Sequence, residues 1–241
     1  MIKKILSSLL VSSVILFAGA TSAIAIDRPT IGIGASVNYG GYVASGQETE
    51  GATNVEKSAT ETHAMEIGYS SLFFELSFAD RVTIGVEYMA DGVETDMTSR
   101  TDTHVSPNGV VEIAAEVAGY GNDLGTSSVK AEFSDLVTGY IELRLINGFY
   151  AKFGAMEIDV ETKEVLHTDS EYPNKTLSGN AYGFGFKNSW DNGVFLKTET
   201  MLHDWDKLTL TATGCTDTCN NTSVEGTLDG IVASFRVGKA F

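Results

Sequence analysis

The chain has 241 residues, with 32 acidic and 16 basic side chains, a formal net charge of −16, 43% hydrophobic residues, 3 prolines and 2 cysteines. That apolar fraction is too high for a mainly disordered chain, the acidity opposes nucleic-acid binding, which needs a basic face, and two cysteines rule out a disulfide-dense scaffold. A mean hydropathy of +0.02 excludes a multi-helix membrane protein but not a membrane barrel, whose strands are only half apolar.

Residues 1–25 read as a signal peptide. Lys3 and Lys4 precede an apolar run from Ile5 to Ala20, and Ala23-Ile24-Ala25 fits the small-x-small pattern ahead of a cleavage site. The alternative is an N-terminal anchor, for which the run is short. The mature chain is then residues 26–241, with 14 basic and 32 acidic residues and a formal charge of −18.

From residue 31 the pattern has period 2, the period of a strand with one apolar face. Ile31, Ile33, Ala35, Val37 and Tyr39 are apolar, with Gly32, Gly34, Ser36 and Asn38 between them. The same alternation recurs at Leu72–Phe78, Val82–Tyr88, Val137–Leu145, Phe149–Ala155, Tyr182–Phe186, Val194–Thr200 and Ile231–Phe241. These are eight strands, an even number that lets an antiparallel sheet close with both ends on one side. Met65, Ile67 and Tyr69 are apolar in the opposite phase to Leu72 onward, so a bulge is expected near Ser70-Ser71. A similar slip at Met156, Ile158 and Val160 predicts a second one after Ala155. Pro29, Pro107 and Pro173 all fall outside the strands, as residues without an N–H should.

Three connections are short (79–81, 146–148 and 188–193) and four are long (46–61, 91–128, 157–177 and 204–229), so the turns gather at one rim and the loops at the other. Within 91–128, Pro107-Asn108-Gly109 between Val105 and Val110-Val111 reads as a hairpin turn, against a rival short helix starting at Ser106-Pro107. If that hairpin reached a membrane, the count would be ten strands.

The polar positions of the strands carry Glu75, Glu87, Glu142 and Glu199 against Arg144, Lys152, Lys187, Lys197 and Arg236, a near balance expected of an enclosed ionic network. The apolar positions are rich in aromatics near strand ends (Tyr39, Phe78, Tyr88, Phe149 and Phe241), where membrane barrels carry their girdles. Ile231, Ala233, Phe235, Val237 and Phe241, with Phe last, resemble the C-terminal strand of bacterial outer-membrane β-barrel proteins. Lys239 departs from that pattern, although its stem can snorkel.

Together with the leader and the eight segments, the resemblance is to the small eight-stranded, porin-like members of that class. It implies an all-β, antiparallel, up-and-down transmembrane barrel in the outer membrane, in contact with outer-membrane lipid. It also implies recognition of the last strand (Phe235, Val237, Phe241) by the barrel-assembly machinery. A soluble β-sandwich is the competing fold, since alternation alone does not name the solvent.

Little chemistry is signalled. Cys215 and Cys219 lie four apart in an exported loop and read as a local disulfide; two thiols alone are too few for a structural zinc site. His63, His104, His167 and His203 have no metal spacing, and His203 with Asp204 and Asp206 reads as a polar rim rather than a catalytic or metal cluster. No nucleophile elbow or phosphate-binding loop occurs, so no enzyme, cofactor or metal is expected, although lipid-modifying barrels exist in this architecture. The acid concentrates in the four long loops, which hold 22 acids and 5 bases. It fits a rim that attracts cations without matching an EF-hand loop. The expected function is that of a porin-like or structural outer-membrane barrel with a narrow or plugged lumen. A loop-displaying interaction protein is the alternative.

Overall fold

The computed structural model describes residues 29–241 except 53–54, 80, 90, 96–97, 102–103, 106–110, 113–125, 166–170 and 214–222. The signal-peptide reading and Cys215–Cys219 lie outside the described residues.

The strands are β1 (Thr30–Ala52), β2 (Val55–Phe78), β3 (Val82–Met89), β4 (Val93–Glu94), β5 (Thr98–Thr101), β6 (His104–Val105), β7 (Val111–Glu112), β8 (Thr126–Arg144), β9 (Phe149–Val165), β10 (Lys175–Ser189), β11 (Val194–Trp205), β12 (Leu208–Thr211) and β13 (Ser223–Ala240). Eight of them pair antiparallel in the order β1-β2-β3-β8-β9-β10-β11-β13, and β13 returns to β1 from Gly32↔Ala240 to Thr49↔Ser223. The sheet therefore closes, and closure removes its edges. β4 and β5 extend the wall along β8, and β12 lies on β13. The pair β6–β7 is a separate two-stranded sheet with His104↔Glu112 and Val105↔Val111. The residues that flank the expected turn thus pair as strands, while 106–110 themselves lie outside the described residues. The pair stays off the barrel sheet, and the barrel has eight strands.

The tight turns follow local chemistry. Ala79 and Asn147 take positive φ, and Gly148 (φ +84°) and Gly193 (φ +82°) occupy turn positions where a side chain would be strained. The β8–β9 turn is closed by Leu145 N–H to Phe149 O at 2.8 Å and Phe149 N–H to Ile146 O at 2.9 Å.

Two expectations are corrected. The described residues of the stretches 46–61, 157–177 and 204–229 are largely strand: β1 and β2 pair out to Ala52↔Val55, and β8 and β9 out to Ser128↔Val165. The backbone ladder there continues after the apolar alternation has ended. Nor is there a bulge at Ser70-Ser71 or after Ala155, because the registers Val37↔Ser70, Ser36↔Ser71 and Asn180↔Ala155, Gly179↔Met156 run without a shift. The shift lies in β8, between Ser134 and Val137, with Asp135 at φ 53°.

The reason is environmental. Below this level the outward face meets an apolar medium and the lumen holds ions; above it the outward face is polar and the lumen apolar. Met65, Ile67 and Tyr69, like Met156, Ile158 and Val160, are apolar side chains on lumen-facing positions. They sit on the same face as Phe73 and Glu75, and as Lys152, respectively.

Candidate functional site

The lumen is the site that the strands build, because every second residue of eight strands converges on it. Its lower layer is ionic. Arg236 on β13 lies with Nη1 2.8 Å from Glu199 Oε1 on β11, and Nη2 2.9 Å from Glu87 Oε2 on β3. Lys197 on β11 donates to Glu75 Oε2 on β2 at 2.6 Å and to both oxygens of Glu142 on β8 at 2.9 and 2.7 Å. Lys152 on β9 reaches Glu199 Oε2 at 2.8 Å, and Lys187 on β10 lies 3.4 Å from Glu75 Oε1. Four carboxylates thus meet four cations.

Aromatic rings line the same layer. The Arg236 guanidinium stands 4.3 Å from the Phe73 ring centre, Lys152 Nζ 4.1 Å from that of Tyr140, and Lys187 Nζ 4.3 Å from that of Phe195. The Tyr150 hydroxyl donates to Glu199 Oε1 at 2.6 Å. Ser36 and Ser71 donate to Glu87 Oε1 at 2.7 and 2.5 Å. Buried charge persists only when paired and hydrogen-bonded in this way. Arg236 and Lys197 are both 0% exposed. Glycine makes room for the rings: a Cβ on Gly85 would lie 2.3 Å from Tyr140 Cζ, and one on Gly230 2.3 Å from Tyr42 Cδ1.

Above the ions the lumen is filled by an apolar cluster containing Met89, Leu136, Met156, Ile158, Met201 and Trp205. At the junction lies an internal cavity of about 20 Å³ bordered by Glu87, Lys152, Glu199 and His203, among others. It has room for about one water molecule.

Eight of the nine residues read as a lumen network are brought together. The ninth, Arg144, is exposed at the lower end of β8, where its N–H donates to Arg81 O at 2.8 Å; one residue from a turn, the wall no longer encloses it. His203 is corrected from rim to lumen: it is 7% exposed, with Nδ1 3.1 Å from the Tyr42 hydroxyl. Its neighbour Asp204 is exposed on the opposite face of β11. Strand parity separates what adjacency in sequence had grouped. Among the described residues no group of three His, Cys, Asp or Glu side chains is placed to hold a metal ion.

The exterior inverts this chemistry. Val37, Tyr39, Leu72, Phe74, Val86, Tyr88, Leu143, Phe149, Phe153, Phe184, Leu202, Ile231, Phe235, Val237 and Phe241 are all large, apolar and exposed on the outward positions. Such a continuous apolar wall around a polar core excludes water as its solvent and matches a bilayer. The chain folds as a closed antiparallel barrel of eight strands with the exterior of a transmembrane wall.

No protein-family model matches the chain, and no curated protein matches it in sequence. Among solved structures the barrel is similar to the outer membrane protein OprG of Pseudomonas aeruginosa, at 12% identity over 86% of this chain and 96% of that one, with a TM-score of 0.47. It is also similar to the outer membrane protein AlkL in lipid bilayers, at 13% identity over 92% and 94% with a TM-score of 0.43. A third is Ail, the attachment invasion locus protein of Yersinia pestis, at 13% identity over 87% and 99% with a TM-score of 0.32. The likeness is one of fold.

The barrel's last strand places Phe235 and Val237 outward at 47% exposure each, with Arg236 inward between them. Lys239 also points outward, with Nζ 5.3 Å from the ring centre of Phe241. Above the belt, on the outer wall, Glu94 meets Lys130 and Lys163, and Lys163 also meets Glu132. Hydrogen bonds from the two lysines hold the Glu94 carboxyl below the usual carboxylate range. The hydrogen bonds that Lys163 donates to Glu132 and Glu94 push its ammonium up to about 12. Sequence reasoning missed this cluster because its members are spread over 70 positions on three strands.

Proposed function

We propose that the chain is exported through a cleaved signal peptide at residues 1–25, inserted by the barrel-assembly machinery through its last strand, and serves as a porin-like or structural outer-membrane protein with a closed lumen. The observation that carries this is the filled interior: four ion-paired cations with their carboxylates, roofed by an apolar layer. The internal cavity at their junction measures only about 20 Å³, room for about one water molecule. Eight strands enclose just enough space for side chains. Planar-bilayer recording tests the reading. Conductance is expected to be small and cation-favouring if it is seen at all; large anion-selective channels would overturn it.

The acidic rim acts in this proposal as a cation-attracting surface. Glu66, Asp91, Asp135, Glu157, Asp204 and Asp229 follow one another around the barrel just above the belt, and focused negative potential raises the local cation concentration. No catalytic role is proposed. His203, which adjoins Asp204 in sequence, is turned into the lumen away from it. A deletion strain is expected to keep its lipid acyl pattern.

A second reading, display of an interaction surface, is favoured by the continuation of β1–β2 and β8–β9 well beyond the apolar belt. It is tested by joining Thr101 to Thr126, the last pair of the β5–β8 ladder, through a short turn. Loss of cell-surface binding with retained folding supports it, and unchanged binding removes residues 102–125 as the contact.

A further inference from the structure

The apolar belt is uneven in height. On β1 the outward run covers Ile31 to Tyr39, below Gly41, which pairs with Glu66 of the rim, whereas on β9 it covers only Phe149, Ala151, Phe153 and Ala155 before Glu157. On β10 it covers only Tyr182, Phe184 and Phe186 between Asn180 and Asn188. At a rise of about 3.3 Å per residue and a tilt of about 40°, seven residues climb roughly 18 Å, short of the apolar band of about 25 Å that a bilayer presents. A wall shorter than the hydrocarbon must recruit flanking groups or thin the bilayer.

The flanking groups are present on that side. The β8–β9 turn exposes Leu145 at 60% and Ile146 at 73%, the latter the largest exposure of any bulky apolar residue among those described. Phe149 and Phe186 meet edge to face at 5.3 Å directly above it, and Trp190 stands exposed in the next turn. Elsewhere on the same rim the β2–β3 turn carries Ala79 and Arg81, and the far end of the β10–β11 turn carries Asp191 and Asn192. Ile146 would be an unexplained apolar tip in water; added to the outward run of β9, it extends the apolar height to roughly that of the band.

We infer that the β8–β9 turn is a membrane foot: Leu145 and Ile146, flanked by Phe149, Phe186 and Trp190, insert into the periplasmic leaflet and complete the short apolar wall of β9 and β10. The occupant of this surface is lipid, because the patch is continuous with the bilayer-facing belt through Leu143, Leu145 and Phe149. This rests on the membrane reading above.

The chain has only two tryptophans, Trp190 and Trp205, so a reporter is easily isolated. In a Trp190→Phe/Trp205→Phe background, Ile146→Trp and, separately, Phe153→Trp are placed in lipid nanodiscs that expose both faces to solvent, after heat-modifiable migration has shown that each folds. Bromine-labelled lipids and aqueous iodide serve as quenchers. The inference expects blue-shifted emission for Ile146→Trp, quenched by lipid bromine and protected from iodide. Water-like emission with iodide quenching at Ile146→Trp, while Phe153→Trp is quenched by lipid, overturns the foot and leaves the barrel reading intact. Loss of lipid quenching at both positions overturns the membrane reading itself. Protection at Ile146→Trp that appears only when two copies share a nanodisc assigns the patch to a second copy and overturns the lipid assignment.

Discussion

Lys197 and Glu142 lie 55 positions apart in sequence and face each other in the lumen, with Nζ 2.9 and 2.7 Å from the two carboxylate oxygens. Lys197 is 0% exposed and Glu142 3%, and Lys197 is shared with Glu75 at 2.6 Å. Lys197→Met leaves two buried carboxylates short of a partner, and breaking a buried pair from one side costs about 3–5 kcal/mol. Removing the like-signed excess should recover part of it, so Lys197→Met/Glu142→Gln is expected to be more stable than Lys197→Met alone. Denaturant unfolding in lipid vesicles, followed as a double-mutant cycle, measures the difference. Equal stability of the single and double variants would show that the pair is not coupled.

Arg236 closes the ionic layer from β13, bonded to Glu199 and Glu87 on two other strands. Arg236→Ala removes the largest fully buried side chain and leaves four carboxylates against three lysines in the lumen. The expected result is larger and more frequent conductance steps than in the parent, selective for cations. The retained apolar layer around Met201 and Trp205 predicts that the steps stay small until a second substitution, Trp205→Ala, is added. Channels unchanged in both variants would mean that the lumen is sealed at another level.

Much of this barrel was written in the period-2 alternation, which located all eight strands, their turns and the faces of eight ionic lumen residues. Four things were not legible. The phase reversal at Met65–Tyr69 and at Met156–Val160 looked like bulges because alternation reports which face is apolar, not which face is inside. Where the surrounding medium changes from bilayer to water, the two faces exchange chemistry while the backbone runs on. The true bulge at Asp135-Leu136 left no such mark, since Asp135 is exposed beside the polar Ser134. Arg144 shares its face with Glu142, but one residue from the turn the wall no longer encloses it. His203 was read with its sequence neighbours, whereas the relevant partner, Tyr42, comes from β1, 161 positions away.

The inward glycines are expected to be steric partners of specific rings. A Cβ on Gly85 would lie 2.3 Å from Tyr140 Cζ and 2.5 Å from its hydroxyl oxygen, and Tyr140 is fully buried. Gly85→Ala is therefore expected to destabilise the barrel by about 1–3 kcal/mol, the usual cost of overpacking. Gly85→Ala/Tyr140→Leu should recover stability relative to the sum of the single changes, because the shorter side chain vacates the clash. Unfolding midpoints of the four proteins at fixed lipid composition test this, and strict additivity would refute the steric coupling.

The Glu94–Lys130–Lys163–Glu132 cluster gives the outer wall a pH dependence of predictable sign. Lysine hydrogen bonds hold the Glu94 carboxyl below its ordinary range, so its contribution is fully present above that range and is lost as the pH falls through the lowered value. Lys163 is pushed up to about 12, so its contribution is present below 10.5 and is lost only as the pH rises through about 12. Between these limits the cluster ties β4 to β8 and β8 to β9 above the belt. Being exposed, it should weaken with salt. Amide exchange is expected to quicken at Ala131 and Thr95, whose backbones are bonded across this wall, when the pH drops below the carboxylate range. The belt residues Ile141 and Phe153 should stay protected. Glu94→Gln should show the faster exchange already at neutral pH and lose most of the acid response. Uniform exchange across belt and outer wall would mean that the wall does not open separately from the barrel.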